Sequence, residues 1–214
     1  RSLNLFWRTS NTASFQRATM VQQGEHYTAT ITGHGASTVV QFYVEAQDSL
    51  DATSTFPPAG PDSRALYIVN DNQAGTGALR NFRFIMFTDE ASRLFSGSNR
   101  FIAATAVDNE TEVFYDVGVR RSGASSSRAG TNGYSIRFHA DELFRGVHDT
   151  LTVDRNNVNE ILVRQLMVHA GDIPAMYNDV IRLVGPSSSK TGYAQLRMAR
   201  FDDVYLDSQY ENGS

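Results

Sequence analysis

Residues 114–155 read FYDVGVRRSGASSSRAGTNGYSIRFHADELFRGVHDTLTVDR, and the fold of the second half of the chain turns on them. Phe114 to Arg121 has strand composition, Ser122 to Gly133 is a Gly/Ser-rich turn, and Tyr134 to Phe138 is a second strand. A short LFRG turn then leads to a third strand, Asp149 to Asp154. A strand, small-residue loop, strand unit gathers backbone N–H groups, and Arg120, Arg121, Arg128 and Arg137 surround the loop. Amide nests and guanidinium forks both favour an anion, phosphate above all. An ordinary β-hairpin with a solvated loop fits the same residues. Ser125, Ser126 and Ser127 suit a phosphate cradle, though serine runs are far more often plain solvated loop.

Working outward, the next segment changes period. Val158, Ile161, Leu162, Gln165, Leu166 and His169 fall on one helical face between Val158 and Ala170, and Gly171 is placed to end the helix. Glu160 sits in its first turn, where a carboxylate stabilises the helix dipole or reaches toward a basic group on a neighbouring strand. Asn178 to Val184 and Tyr193 to Arg200 complete the strands. Upstream, Arg80 to Phe87 reads as a strand, Thr88 as a helix N-cap with acids behind it, and Phe101 to Val107 as the next strand. The polar run Asp71 to Ala78 reads as a linker. Its Gly75-x-Gly77 lacks the third glycine and the helix of a nucleotide fingerprint.

Residues 1–70 carry five strand-like runs: Leu3 to Arg8, Phe15 to Gln22, His26 to Thr32, Thr38 to Asp48 and Arg64 to Val69. Val40, Phe42, Val44 and Ala46 alternate with Val39, Gln41, Tyr43 and Glu45, as a half-buried strand requires. Phe56-Pro57-Pro58 with Gly60-Pro61 reads as loop, because proline cannot donate to a central ladder. The Y-x-A-x-I and V-x-F-Y-V-x-A-x-D strands resemble the later strands of an immunoglobulin-like or fibronectin type III sandwich. That predicts a partial β-sandwich, residues 1–70, ahead of an α+β module, residues 79–214; the fold class is mainly β plus α+β.

Composition narrows the chemistry. Hydrophobic residues make up 41% of the 214 and aromatics 11%, enough for real cores, and no run is long enough to span a membrane. The absence of cysteine removes disulfides, thiolate nucleophiles and cysteine metal sites. A net charge of -4 does not point to nucleic acid or a membrane surface. Lys190 is the only lysine among 19 basic residues, which leaves little for lysine chemistry. Asp202, Asp203, Asp207 and Glu211 lack the spacing of a calcium loop, and no GxSxG or HExxH occurs. His148, beside Asp149, fits either a tuned base or a turn hydrogen bond, and His169 a core-edge position. Trp7 and the nine tyrosines offer stacking faces for a carbohydrate or, more simply, core. The chain begins at Arg1 and reads as an excerpt of a longer protein.

Residues 79–214 resemble the first half of a CotH-type kinase domain, the atypical, spore-coat-associated or secreted relatives of the protein kinase fold. The runs that carry this are GVRRSGASSSR (Gly118 to Arg128), SIRF (Ser135 to Phe138), LFRGVHDTLTVDR (Leu143 to Arg155) and the helix and turn NEILVRQLMVHAGDIPAMY (Asn159 to Tyr177). The resemblance implies a kinase-like N-terminal lobe, an antiparallel sheet with one main helix, in a bacterial extracellular or cell-surface protein. It implies ATP and magnesium as cofactors and a protein substrate for the parent. Gly123, Ser125, Ser126 and Arg128 would cover the phosphates, Arg137 would contact them, and Glu160 would be the helix glutamate that orients an ATP-contacting base. The family's strand offers a lysine in a K-K-S-Y-R run, where this chain has Gly133-Tyr134-Ser135-Ile136-Arg137. Arginine is a poor replacement for a compact lysine at a tight site. The family's catalytic and metal-binding aspartates belong to a later lobe, so no catalytic residue is expected in this stretch. A non-catalytic extracellular structural or binding module is the alternative.

Overall fold

A computed structural model describes residues 2–97, 99–123, 133–154, 158–171 and 177–199. The first module is built on β5 (Val39–Gln47), whose alternating apolar residues give it a buried face. On one edge it pairs with β1 (Ser2–Arg8), which in turn carries β2 (Gln16–Thr19). The opposite edge is shared by β6 (Thr53–Phe56) and β7 (Leu66–Ile68). A separate hairpin joins β3 (Val21–Gln23) to β4 (His26–Thr28). Leu5, Trp7 and Val40 form the module's core, with Ala29, Ile31, Phe42 and Tyr67 packed around them. This is one five-stranded sheet with a small hairpin beside it, and not the two-sheet sandwich the strand motifs suggest. The reason is local: pairing of the YTATI run ends at Thr28, so Ala29 and Ile31 cover the sheet as loop. Thr53 to Phe56 adds an edge strand just ahead of the proline run, taking in Phe56, which reads as loop in the sequence. An edge needs donors on one side only, so Pro57 merely ends it.

The second module is a closed barrel of seven strands. They are β8 (Arg80–Ile85), β9 (Ile102–Asp108), β10 (Glu112–Arg121), β11 (Tyr134–Arg137), β12 (Thr150–Asp154), β13 (Asn178–Val184) and β14 (Gly192–Ala199). Around the barrel the order is β10, β11, β12, β14, β13, β8, β9. Six pairings are antiparallel, but β13 lies parallel to β8, Ile181 opposite Arg80. That parallel contact closes the ring and corrects the expected open antiparallel sheet. Irregular register between Phe114 and Val117 and between Ile181 and Leu183 supplies the bends that closure needs. The interior is filled by large aromatics set against small residues. Phe82, Phe84, Phe114 and Tyr134 face Ala104 and Ala106, and Phe84 meets the Tyr134 ring edge at 4.9 Å.

Two helices flank the barrel. In α1 (Thr88–Phe95), Thr88 is already helical and Phe87 is the N-cap, one residue earlier than the sequence suggests. Glu90 turns back to accept from the Phe87 N–H at 3.2 Å, so the glutamate rather than the threonine secures this end. The second helix, α2 (Val158–Ala170), has the expected bounds.

The modules share a buried seam. Leu66 of β7 packs with Ile85, Phe87 and Val107 of the barrel's outer surface. The Leu66 N–H donates to Thr105 Oγ1 at 2.8 Å, and the Arg64 guanidinium meets buried Glu90 at 2.7 Å. Asp116, held at φ 56 in the β10 irregularity, accepts from Ser63 Oγ at 2.8 Å and from the Arg64 N–H. The segment between the modules is tied down as well. Asp71 pairs with Arg83 at 2.8 Å, and the Asn81 amide both accepts from and donates to the Gly75 backbone at 3.0 Å.

Candidate functional site

The residues singled out for phosphate binding are dispersed. Gly123 follows β10 at φ 96, a conformation that suits glycine at the start of the loop. Ser125, Ser126 and Arg128 lie outside the described residues, as do Asp202, Asp203, Asp207 and Glu211. Arg137 ends β11, exposed on the outside of the barrel and directly opposite Gly118. Glu160 accepts from Arg164 one turn along α2, at 3.1 Å. Among the described residues no ion pair joins Glu160 to Arg137.

The face of α2 differs from expectation. Leu162 and Leu166 are 57% and 60% exposed, while Arg164 is buried and reaches Met198 Sδ on β14 at 3.1 Å. The inward stripe runs through Glu160, Ile161, Arg164 and Met167. His169 is exposed, its Nδ1 2.8 Å from the Gln165 carbonyl, rather than at a core edge. Helical period defines a stripe, but the partner surface selects which stripe turns inward.

Arg137 does find company that the sequence does not advertise. Its guanidinium carbon lies 4.6 Å from the Phe101 ring centre, and that of Arg120 lies 4.7 Å from the same ring. Gly118 makes this possible: a Cβ there would stand 3.1 Å from Phe101 Cδ1. Arg137 and the ring wall a groove of about 500 Å³ that continues past Phe138 to Asp116, His139 and Asp149, with Arg120 outside its lining. Arg120 Nε is buried without a hydrogen-bond partner.

Arg121 points the other way, into the barrel. It is 2% exposed, 5.5 Å from the Phe95 and Tyr134 ring centres, and its Nε has no hydrogen-bond partner. Lys190 approaches the same Phe95 ring at 4.6 Å. Burial pushes the Tyr134 phenol up to about 12 against the opposing charge of Arg121, and its hydroxyl is likewise unpartnered. Among the described residues, no carboxylate lies within ion-pair distance of Arg120, Arg121, Arg137 or Lys190. Arg64, Arg80, Arg83, Arg93, Arg145, Arg164 and Arg197 each have one.

Arg197 defines the contrasting end of the interior. Fully buried on β14, it donates to Asp108 at 2.5 Å, to Asp179 at 3.1 Å and to Tyr177 Oη at 3.3 Å. Its guanidinium lies 4.7 Å from the Phe144 ring. Burial works against its charge, yet Tyr177 and Asp108 outweigh it and keep it protonated. Arg80 braces Asp108 from the rim and Arg145 braces Asp179. His148, buried and stacked on Tyr177 at 5.4 Å, is pushed down by burial first and then by the Arg145 charge, with Asp149 opposing and Arg197 adding. Its backbone N–H bonds the Phe144 carbonyl at 3.0 Å. No signal in a single sequence links positions 108, 179 and 197.

Chemically, guanidinium groups without a carboxylate partner suit phosphate oxygens. Arg120 and Arg137 offer such groups on the outer face of β10 and β11, whereas Gly123 lies toward the other end of β11, where the loop begins. A magnesium ion finds less support, since no group of three His, Asp or Glu side chains converges among the described residues. No protein-family model and no curated protein sequence matches the chain. Trp7 is buried in the first module's core and presents no face to a sugar.

Proposed function

We propose that this chain is the front portion of a bacterial, extracellular CotH-like phosphotransfer protein. In this reading the portion holds phosphate groups and contributes no catalytic residue. What carries it is a pair of cations: among the described residues, Arg120 and Arg137 share the Phe101 ring on the barrel's outer face and have no carboxylate within ion-pair distance. Arg120 and Arg137 would grip phosphate oxygens while Phe101 keeps the two guanidiniums apart and oriented. ATP would supply the phosphates and magnesium would offset their charge. The catalytic chemistry would come from a later lobe acting on a protein substrate.

A second reading, a non-catalytic surface module, has its own support. Glu160 is engaged by Arg164, and the strand offers arginine where the family uses lysine. Thermal unfolding with sodium tripolyphosphate and with ATP and Mg²⁺ tests both. At ten times Kd a ligand adds about 1.4 kcal/mol, or roughly 3–5 °C in Tm for a chain of this size. The phosphate-binding reading requires this rise, and its loss in the Arg120→Ala/Arg137→Ala double variant. A rise that Glu160→Ala also removes favours the kinase-like role for the helix. If millimolar anion leaves Tm unchanged, the phosphate-binding reading is abandoned.

A further inference from the structure

A cavity of about 810 Å³ opens elsewhere, between the turn after β6 and the barrel. Its walls are apolar. Phe56 leaves 60% of its surface exposed there, its ring edge-on to Tyr115 at 6.3 Å, and Pro57 and Pro58 extend the same side. Tyr115 is held by a second edge contact, to Phe42 at 5.9 Å, so the aromatic wall is fixed across both modules.

The rim is acidic. Asp116, Asp141 and Glu142 line it, and no lysine or arginine does. Both Asp116 oxygens accept from neutral donors, the Ser63 hydroxyl and the Arg64 N–H, which satisfy its lone pairs without cancelling its charge. His139 stands 3.0 Å from Asp141 and is the one basic side chain on the rim among the described residues. Glu142 feels the crowding: partial burial first, then Asp141, with Asp116 and Glu112 adding and His139 opposing, pushes its carboxyl up. The same carboxylate helps raise the Tyr115 phenol.

We infer that this groove docks a cationic side chain, arginine or lysine, of an extended peptide segment. Charge complementarity decides the occupant. A guanidinium lying on the Phe56 and Tyr115 rings gains a cation–π contact and meets the rim carboxylates edge-on. A neutral saccharide would use the rings but leave the excess negative charge uncompensated. A bare divalent ion would need converging oxygens that the described residues do not supply. Arg120 and Arg137 do not line this groove, which shares Asp116 and His139 with the groove beside Arg137.

The test titrates the 214-residue chain with a blocked hexapeptide of alternating arginine and glycine, followed by calorimetry at low salt. A glutamate–glycine hexapeptide and cellohexaose serve as comparators. Binding of the arginine peptide alone is expected, weakening with added salt. Asp141→Asn/Glu142→Gln should weaken it about tenfold, on the order of two solvent-exposed charge pairs. Phe56→Ala should weaken it about threefold, on the scale of an exposed cation–π contact. These side chains lie at the surface, so Tm should hold in each variant, and Asp116 is left intact because it fastens the modules. Arg120→Ala/Arg137→Ala should bind the peptide as wild type does. Equal binding of the acidic peptide, indifference to the charge variants, or preference for the saccharide would each overturn the inference.

Discussion

Arg197 and Arg121 occupy the interior of one barrel, both buried, and they live in opposite electrostatic worlds. Arg197 is enclosed by Asp108, Asp179 and the Tyr177 hydroxyl, with Arg80 and Arg145 bracing the two acids from outside. Arg121 has the rings of Phe95 and Tyr134 and, among the described residues, no carboxylate within ion-pair distance; the Nε of each arginine lacks a partner. Desolvating a cation is costly, and a carboxylate at contact distance is what normally offsets it. The first arginine is thus structural. The second lies among aromatic rings, with no carboxylate within ion-pair distance among the described residues.

Breaking the Arg197 side of the comparison should have the largest effect. Asp108→Ala leaves two arginines facing an empty position, and urea denaturation should report a loss of about 3–5 kcal/mol. Asp108→Leu/Arg197→Met removes both charges together and should cost far less than the sum of the single changes. Additive single and double variants would mean the network is not coupled.

Arg121→Met probes the other side. It deletes a buried cation without orphaning an anion, so stability should move by no more than about 1 kcal/mol. A loss comparable to Asp108→Ala would erase the distinction between the two ends.

Smaller still is the response of His148, which belongs to the Arg197 end. Its folded pKa is lowered by burial, Arg145 and Arg197, so the unfolded chain binds the proton more readily. Stability is then fully present above the ordinary histidine value near 6.5 and drains away as pH falls toward the folded value. Urea midpoints at pH 7 and pH 5 should show this decline, and His148→Gln should flatten it. Tyr134→Phe should have the least effect, within about 0.5 kcal/mol at neutral pH, because its hydroxyl has no partner to lose. Absorbance titration should find one phenol that ionises only near 12. With the folded value above the unfolded one, that group's contribution is present below pH 10 and lost from there upward.

Much of the secondary structure was legible because its causes are local. The alternation of Arg80 to Phe87 and of Val39 to Gln47 appears as strands β8 and β5, and α2 spans Val158 to Ala170 as its period requires. The helix's orientation was not legible. Arg164 turns inward because Met198 and Glu160 receive it, and those partners are chosen by the packing. The candidate site divides in the same manner. Arginines beside a small-residue loop are visible along the chain, whereas the pairing of Arg120 and Arg137 over Phe101 depends on β10 lying against β11 with Gly118 beneath the ring.

By itself, then, the amino-acid order determined a mainly β chain with two helices' worth of period change, an arginine-flanked loop and no cysteine chemistry. Only tertiary structure decided that the second module closes into a barrel and that the first is a single sheet seated on it. Strand period is set by neighbours two residues away. Closure is set by β13 meeting β8, about a hundred residues apart in the chain, and its hydrogen bonds leave no trace in either strand's own pattern. The same is true of charge: composition counts the arginines, but the fold decides which of them meets an acid.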